Sequence, residues 1–344
     1  MAKSNKVIIS VCLCGAGTKK AQAPTVPYTP EEISDQAIEC AKAGAAIAHI
    51  HVREDKMVDG EMQIGYKSMS LEKFTETVEL TRRKCKEQGV DIVLNLTTSG
   101  GEYEDQKRLQ HLGKLLPEMC SFDPNTLNWS NSYIFENSPR FLNLLSQEVV
   151  KYNIKPEFEV FDFGALRAIG VYWKKGFVKA PLHFQFCLGV VGGMDATPND
   201  LQVLLTEMHK LQAEGKLPQE CTWSAFGIGK GHLPVMFAAL ANEGHIRVGM
   251  EDNVVYGRNP DGSKIMATNL MLVQRAANAV KAFGNEIATP AEAREMLGLK
   301  PLDHEAVCAA LDAVKVEDLE AAKQGVKDEF GGPYFAAAGM GAKK

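Results

Sequence analysis

Eight short apolar segments, rich in β-branched residues, alternate with longer helical segments along most of this chain. The apolar segments cover residues 7–13, 45–52, 91–97, 119–123, 156–161, 182–188, 222–227 and 245–250. Helical patterns cover 29–44, 71–88, 104–116, 138–152, 163–175, 198–213, 232–242 and 264–283. Such alternation is typical of βαβ units with a parallel sheet. Eight units without a dividing linker favour an α/β fold of the (β/α)8 TIM-barrel type over an open doubly wound sheet.

The same pattern predicts one domain over residues 1–344, with the barrel at about 7–283. Single barrels of ~250 residues or more are common, so the length of 344 residues does not require a second domain. Two further segments, 288–299 and 303–314, predict extra C-terminal helices. The whole extension, about 288–344, ends in a Gly- and Ala-rich tail that is unsuited to a second core. We expect it to dock on the barrel or on a neighbouring subunit.

Composition excludes several classes of partner. The 38 Lys and Arg against 43 Asp and Glu give a net charge of −5 without a basic stripe, which argues against nucleic acid. Apolar stretches fall short of the ~20 residues that a membrane-spanning helix needs, and the short apolar run at 7–13 lacks a signal-peptide cleavage site. The eight cysteines form no CxxC pair and are expected to be buried and reduced. A cytoplasmic location is predicted.

A His-x-His pair ends the second predicted strand. Residues i and i+2 of a strand point to the same face, so His49 and His51 should project together into the barrel mouth. Catalytic groups of TIM barrels come from the C-terminal ends of the strands. This position favours a shared metal such as zinc over two hydrogen-bonded core histidines.

The eighth predicted strand ends in a charged segment that could complete such a site. Arg247, Gly249 and Glu251 share one parity, which would place a guanidinium and a carboxylate inside the barrel, with space for a ligand at Gly249. Two His and one Glu with an open position form a common catalytic zinc shell. Asp252 can reach the site only if the strand has ended. A structural ion pair between Arg247 and Glu251 is an equal alternative when these residues are taken alone.

Other strand ends offer weaker signals. Thr97 begins a TTSGG segment whose hydroxyls and glycine amides, including Gly100 and Gly101, could bind a carboxylate or phosphate. A glycine-rich turn with Gly227 and Gly229 follows the seventh strand, where barrels often bind phosphate. A dinucleotide-binding fingerprint requires GxGxxG after an early strand, with an acidic residue ~20 residues further on. That acid is not evident, so a dinucleotide dehydrogenase is rejected.

Two groups of residues carry more modest predictions. Glu157 and Glu159 share a face of the fifth strand and need buried partners, such as a metal ligand or Arg247. Among the remaining histidines, His183 is expected in the barrel wall. Three more are expected at the surface: His111, His209 and His304.

Several of these segments together resemble the β-keto acid cleavage enzyme family, that of 3-keto-5-aminohexanoate cleavage enzyme. They are GAGTKKAQAPTVPYTPEEI, AGAAIAHIHVRE, TTSGG, LPEMCSFDPNTLNW, KPEFEVFD, GIGKGHLP, GHIRVGMEDN and IATPAEAREMLGL, in order over residues 7–299. The resemblance implies a zinc-dependent barrel in which a short 3-keto acid reacts with acetyl-CoA to give acetoacetate and a new acyl-CoA. It also suggests a homo-oligomer, specifically a tetramer.

Carried over by position, the resemblance implies roles for individual residues. The implied zinc ligands are His49, His51 and Glu251. Asp252 becomes the general base and Arg247 its charged partner. Thr97 and Ser121 become hydroxyl contacts to substrate or intermediate.

The chain departs from the family pattern at two positions. The aminohexanoate-cleaving member carries a glutamate, matched to the substrate's amino group, where this chain has Gly17. An uncharged or acidic 3-keto acid is therefore expected instead. Lys230 replaces a family arginine, which keeps the charge but loses the bidentate geometry.

Two other functions share some of these features. A zinc aldolase or hydrolase could use the same ligands without CoA, and a non-catalytic barrel could bind a metabolite. Activity that requires acetyl-CoA separates the first alternative from the leading hypothesis. Retention of a base beside the predicted metal ligands argues against the second.

Overall fold

The computed structural model describes residues 5–299 and contains a closed barrel of eight parallel strands. The strands are β1 (Ile9–Cys12), β2 (Ile47–Ile50), β3 (Val93–Leu96), β4 (Met119–Phe122), β5 (Lys155–Val160), β6 (Leu182–Leu188), β7 (Cys221–Gly227) and β8 (His245–Val248). Each strand pairs with its neighbours in chain order, and β8 pairs with β1 to close the barrel. The predicted (β/α)8 fold is confirmed. No barrel strand extends more than one residue beyond its predicted range, although several strands are shorter than predicted.

A helix follows each strand. The helices are α1 (Pro30–Lys42), α2 (Leu71–Gln88), α3 (Asp105–Leu115), α4 (Pro139–Tyr152), α5 (Phe163–Lys174), α6 (Pro198–Ala213), α7 (His232–Ala241) and α8 (Asn269–Ala282). The start of α1 shows why the boundaries were predictable. Thr29 accepts a hydrogen bond from the Glu32 amide, and the Glu32 carboxylate accepts one from the Thr29 amide, a capping box that fixes the first turn.

The helix predicted for 264–283 begins later than expected. Lys264–Met266 is instead a strand that pairs antiparallel with Val255–Arg258. The helix starts after Thr268, whose side chain caps the amide of Met271. An internal cap at Thr268 therefore limits the helix, although the apolar pattern continues on both sides of it.

Three hairpins within residues 5–299 surround the barrel mouth, and the sequence patterns did not predict them. They follow β2 (Val52–Val58 with Glu61–Ser68), β4 (Leu127–Trp129 with Tyr133–Phe135) and β8 (Val255–Arg258 with Lys264–Met266). The first one turns at Asp59 and Gly60, which both have positive φ, as a type I′ turn requires. The Asp-Gly pair was a readable hairpin signal.

A ninth helix, α9 (Pro290–Leu297), closes the opposite end of the barrel. Its Ala293 and Leu297 pack in one buried cluster with residues at the amino-terminal ends of the strands. That cluster contains Ile8, Ala46, Ile47, Val93, Met119 and Ala288. The helix predicted at 288–299 is thus confirmed, whereas the one predicted at 303–314 and the tail lie outside the described residues.

The surface positions predicted for three histidines have different outcomes. His111 was expected at the surface, but it is fully buried and stacks on Phe74 with ring centroids 4.3 Å apart. Burial lowers its pKa to about 3. His209 is exposed on α6, as predicted, and His304 lies beyond the described part.

The cysteines follow the predicted pattern. Those within residues 5–299 are unpaired thiols, and all of these except the half-buried Cys221 are buried. None of the helices within that range is long and apolar enough to cross a membrane.

We predict that Leu297→Ala destabilises the protein without impairing the chemistry at the mouth. Leu297 is 1% exposed, and truncating such a buried leucine costs about 2–5 kcal/mol. Leu233→Ala, on the exposed face of α7, is the matched control and should change stability by less than about 0.5 kcal/mol. Denaturant unfolding of both variants measures the difference. Equal stability of the two variants would show that α9 does not seal the barrel.

Candidate metal centre

Two histidines meet at the mouth end of β2. His49 lies in the strand and His51 directly follows it, and both are buried. Their ring centroids are 5.0 Å apart and the ring planes meet at 68°. The shared face that the His-x-His spacing predicted is therefore present.

Glu251 completes a group whose atoms can bind one ion. Its carboxylate oxygens lie 3.6 Å from His51 Nε2 and 4.0 Å from His49 Nε2. One ligand atom from each of the three residues lies within 4.8 Å of the other two. The Glu251 Oε2 atom and the His49 Nδ1 atom are buried and have no hydrogen-bond partner among the described residues. This donor set fits a divalent metal such as zinc.

Arg247 lies behind the group and binds three carboxylates. Its Nε and Nη2 donate to both oxygens of Asp252 at 3.0 and 2.9 Å. Nη1 donates to Glu159 at 2.8 Å, and Nη2 donates to Glu251 at 3.0 Å. With three carboxylates ionised, one guanidinium leaves a local charge of −2. A divalent cation would neutralise this charge in a buried site.

The surroundings shift the protonation of these groups. Burial raises the pKa of Asp252 to about 7, although Arg247 opposes this effect. Burial would also raise the pKa of Glu251, but His51 and Arg247 hold it well below its usual value. Burial lowers the pKa of His49, which favours the neutral imidazole that binds metals.

The two glutamates of β5 have the kind of partners that the sequence required. Glu159 pairs with Arg247, and Glu157 accepts a hydrogen bond from Asn95 Nδ2 at 2.7 Å. Glu157 also lies 3.6 Å from His183, which is in the barrel wall as expected. One carboxylate oxygen of each glutamate lies within 4.8 Å of a His49 ring nitrogen, so these three buried residues form a second group that could hold a metal ion.

An open cleft of about 870 Å³ leads from solvent to this cluster. His51, Glu251 and Asp252 line its inner part. Gly17 and Gly229 also border the cleft. An aromatic wall from the hairpin after β4 borders it too, with Trp129, Tyr133 and Phe135.

Other predicted binding residues do not line the cleft. Thr97 and Ser121 have no exposed surface; their hydroxyls accept hydrogen bonds from the amides of Ser99 and Thr98, at 3.1 and 3.0 Å. Ser99 borders the cleft instead.

The predicted binding glycines mostly have packing roles. A Cβ at Gly100 or Gly101 would lie 2.9 Å from Met69 or from the Glu136 backbone, and one at Gly227 would lie 2.4 Å from the Gly231 carbonyl oxygen. The Gly229 amide is already bound by the carbonyl of Asp252 at 3.2 Å.

The expected ligand space at Gly249 was a wrong interpretation. A Cβ there would lie 2.0 Å from the carbonyl oxygen of Cys12, so the backbone of β1 fills the space. Glycine allows this contact because it has no Cβ, and it also tolerates the backbone φ of +152° found here. The Cys12 carbonyl then accepts the amide of Glu251 at 3.2 Å and fixes the turn after β8.

Sequence reasoning missed Gly15 and Arg53. A Cβ at Gly15 would lie 2.4 Å from Glu251 Cγ, so this glycine makes room for the carboxylate. Arg53 donates to the carbonyls of Cys14 and Gly65 at 2.8 and 2.9 Å, which ties the loop after β1 to the first hairpin. Arg53 continues the parity of His49 and His51, and this was the signal that could have identified it.

The chain resembles known proteins over nearly its whole described length. The model of the beta-keto acid cleavage enzyme family matches residues 6–299. A 3-keto-5-aminohexanoate cleavage enzyme of Acetoanaerobium sticklandii is 36% identical, over 86% of this chain and 98% of that protein. A 3-dehydrocarnitine:acetyl-CoA trimethylamine transferase of Rhizobium meliloti is 30% identical, over 87% of this chain and 98% of that protein.

A solved structure supports the fold independently. The apo structure of ObcA aligns with a TM-score of 0.64 at 22% identity and covers 81% of this chain and 66% of that one. By its sequence match and by its closed barrel, this chain belongs to the β-keto acid cleavage enzyme family.

Proposed function

We propose that this protein cleaves a short 3-keto acid with acetyl-CoA and releases acetoacetate and a new acyl-CoA. The observation that carries the proposal is the joining, in one cleft, of the His49, His51 and Glu251 group with an Asp252 held by Arg247. Family membership supports the cleavage of a β-keto acid. The R. meliloti relative is a 3-dehydrocarnitine:acetyl-CoA trimethylamine transferase, which supports acetyl-CoA as the second substrate.

The three ligand residues favour zinc as the cofactor. Two imidazoles and one carboxylate without a thiolate suit a catalytic zinc shell that leaves a position for substrate. A bound Zn²⁺ supplies Lewis acidity, which lowers the pKa of the C–H group between the carboxylate and the ketone. His49, His51 and Glu251 are the residues that would hold it.

Asp252 is the proposed base. Arg247 contacts both carboxylate oxygens, which fixes the orientation of the group beside Glu251. A pKa near 7 suits proton removal at neutral pH, because a base of matched pKa is available in its ionised form and still accepts a proton. Asp252 would take the proton from the carbon between the carboxylate and the ketone of the substrate.

The exchange of carbon fragments follows from that deprotonation. The carbon that lost the proton forms a bond to the acetyl carbonyl, and the CoA thiolate leaves. That thiolate then forms a thioester with the former keto carbon. Cleavage of the old carbon–carbon bond leaves a carbanion that takes the proton back from Asp252. This releases acetoacetate, which contains the acetyl group and the first two carbons of the keto acid.

The wide mouth of the cleft suits the second substrate. The volume of about 870 Å³ reaches the upper part of the range for ligand pockets, more than a short keto acid needs. Lys19, Lys20 and Lys67 border it and would favour the negatively charged phosphates of CoA.

The proposal also includes a homo-oligomeric state, and the family resemblance suggests a tetramer. It further includes a cytoplasmic location and a single domain for the whole chain. Apolar side chains exposed near the mouth are consistent with a subunit contact. Met57, Met62 and Ile64 of the first hairpin are each more than half exposed, and Ile134 is 66% exposed. Light scattering of the purified protein measures the assembly.

The direct test of the function is a panel of 3-keto acids incubated with acetyl-CoA. We expect acetoacetate and a new thioester to form in equal amounts for at least one acid, and neither to form without acetyl-CoA. Products without acetyl-CoA would indicate the zinc aldolase or hydrolase instead. Binding without turnover across the panel would favour a metabolite-binding barrel.

We predict that Asp252→Asn and His51→Ala separate the roles of base and metal ligand. Asp252→Asn should keep about one equivalent of zinc and lose at least about a hundredfold in kcat, because the amide cannot accept a proton. His51→Ala should lose the metal itself. Metal analysis and kinetics on protein never exposed to chelator measure both effects.

The matched control for these variants is Asp261→Asn, in the exposed turn of the hairpin after β8. It should retain both metal and turnover. If Asp252→Asn lowers kcat less than about tenfold, or about 1.4 kcal/mol of barrier, Asp252 is not the base.

Gly17 generates a prediction about the substrate. It borders the cleft, and a Cβ added there would meet no atom within 4 Å. A substrate ammonium at this position would lose water without gaining a carboxylate partner. We expect 3-keto-5-aminohexanoate to be a poorer substrate than an uncharged or acidic 3-keto acid of similar length.

Gly17→Glu should shift the preference toward the amino compound, and the uncharged Gly17→Gln should not. The ratio of kcat/KM values for the two acids measures this preference in each protein. If the wild-type protein prefers 3-keto-5-aminohexanoate, another residue must supply the countercharge for its ammonium group.

A further inference from the structure

Two buried carboxyl groups lie side by side next to the Arg247 cluster. Asp123 directly follows β4, and Glu159 lies in β5. The strand register pairs Phe122 with Phe158, so the next residues, Asp123 and Glu159, are neighbours with the same parity. Because adjacent strands are ~4.8 Å apart, their side chains come within hydrogen-bonding reach.

Asp123 lacks the partners that an ionised buried carboxylate needs. It has no exposed surface, and its Oδ2 accepts one hydrogen bond, from the Ser99 hydroxyl at 3.2 Å. Its Oδ1 accepts none from residues 5–299. The neighbouring cation Arg108 is committed to the Thr98 carbonyl and to the Asn137 side chain, at 3.0 and 2.7 Å.

Glu159 has the partner that Asp123 lacks. Arg247 Nη1 donates to Glu159 Oε1 at 2.8 Å. Two adjacent buried carboxyl groups cannot both ionise cheaply, and the group with the guanidinium takes the charge. Burial and the charge of Glu159 accordingly raise the pKa of Asp123 well above its usual value, against the weaker effect of Arg108.

We propose that Asp123 is a neutral carboxylic acid in the folded protein, donates its proton to Glu159, and thereby holds Glu159 against Arg247. Asp123 is then a positioning residue at the end of a chain that runs through Glu159 and Arg247 to Asp252. Its effect on turnover rests on the proposed function. Its protonation does not, and can be tested without substrate.

Infrared spectroscopy tests the protonation directly. Asp252→Asn serves as the background, since Asp252 could itself carry a proton near neutral pH, and the aspartates are labelled with ¹³C in their carboxyl groups. We expect a label-sensitive C=O band of a protonated carboxylic acid at pH 7 that disappears when Asp123→Asn is added. Absence of the band, or its persistence in the double variant, would overturn the proposal.

Stability gives a second measurement, with a definite sign. A carboxyl group whose pKa is raised by folding contributes most below its unfolded pKa, and this contribution is lost as pH rises. The stability of Asp123→Asn relative to the wild type should therefore increase with pH above about 4. A constant difference across that range would mean that Asp123 is ionised in the folded state and that the proposal is wrong.

Activity separates hydrogen-bond donation from simple space filling. The amide of Asp123→Asn can donate to Glu159 and accept from Ser99, so kcat and its pH profile should stay within about threefold of wild type. Asp123→Leu fills similar space without a donor, and kcat should fall about tenfold, or about 1.4 kcal/mol of barrier, with little change in KM. If Asp123→Asn lost as much kcat as Asp123→Leu, the positioning role would be refuted.

Discussion

One buried guanidinium organises the mouth of this barrel. Arg247 contacts Glu159, Asp252 and Glu251, so a single side chain links β5, β8 and the turn after β8. It also stacks over Phe226, with its guanidinium carbon 4.2 Å from the ring centroid. Removing such a cation would leave two buried carboxylates, Glu159 and Asp252, and the partly buried Glu251 without a partner that they share. That is far more costly than the loss of a surface ion pair.

The charges around Arg247 explain how two adjacent carboxyl groups, Glu251 and Asp252, can have pKa values shifted in opposite directions. Burial would raise the pKa of Glu251, but His51 and Arg247 hold it well below its usual value, whereas burial raises the pKa of Asp252 to about 7. Both carboxylates lie in adjacent positions of one turn. Their pKa values differ because the histidines and Arg247 face Glu251, whereas burial and the charge of Glu251 raise the pKa of Asp252 against the effect of the guanidinium.

The period of the strands made much of this predictable. Alternation predicted that His49 and His51 share the inner face of β2, and their rings meet in the structure. Arg247 and Glu251, which share a parity in the sequence, also meet, through the turn after β8. Asp252 joins them because β8 ends at Val248. Repetition of the strand–helix unit likewise made the number of barrel strands predictable from the sequence alone.

Contacts between distant segments were beyond such patterns. The sequence does not show that the Cys12 carbonyl occupies the space beside Gly249, nor that Thr97 is buried below Ser99. His111 looked polar and exposed by composition, yet α3 turns it onto Phe74. These outcomes depend on how elements pack, which a period of 2 or 3.6 residues cannot specify.

The hairpins around the mouth have a consequence for how such a protein can change. The ionisable cluster is built on barrel strands and the turns directly after them, whereas much of the outer cleft wall belongs to hairpins inserted after β2, β4 and β8. The two strands of each hairpin pair with each other and not with a barrel strand. Mutation can therefore reshape the entrance while the reactive centre keeps its geometry, so selectivity and chemistry can evolve as separate stretches of chain.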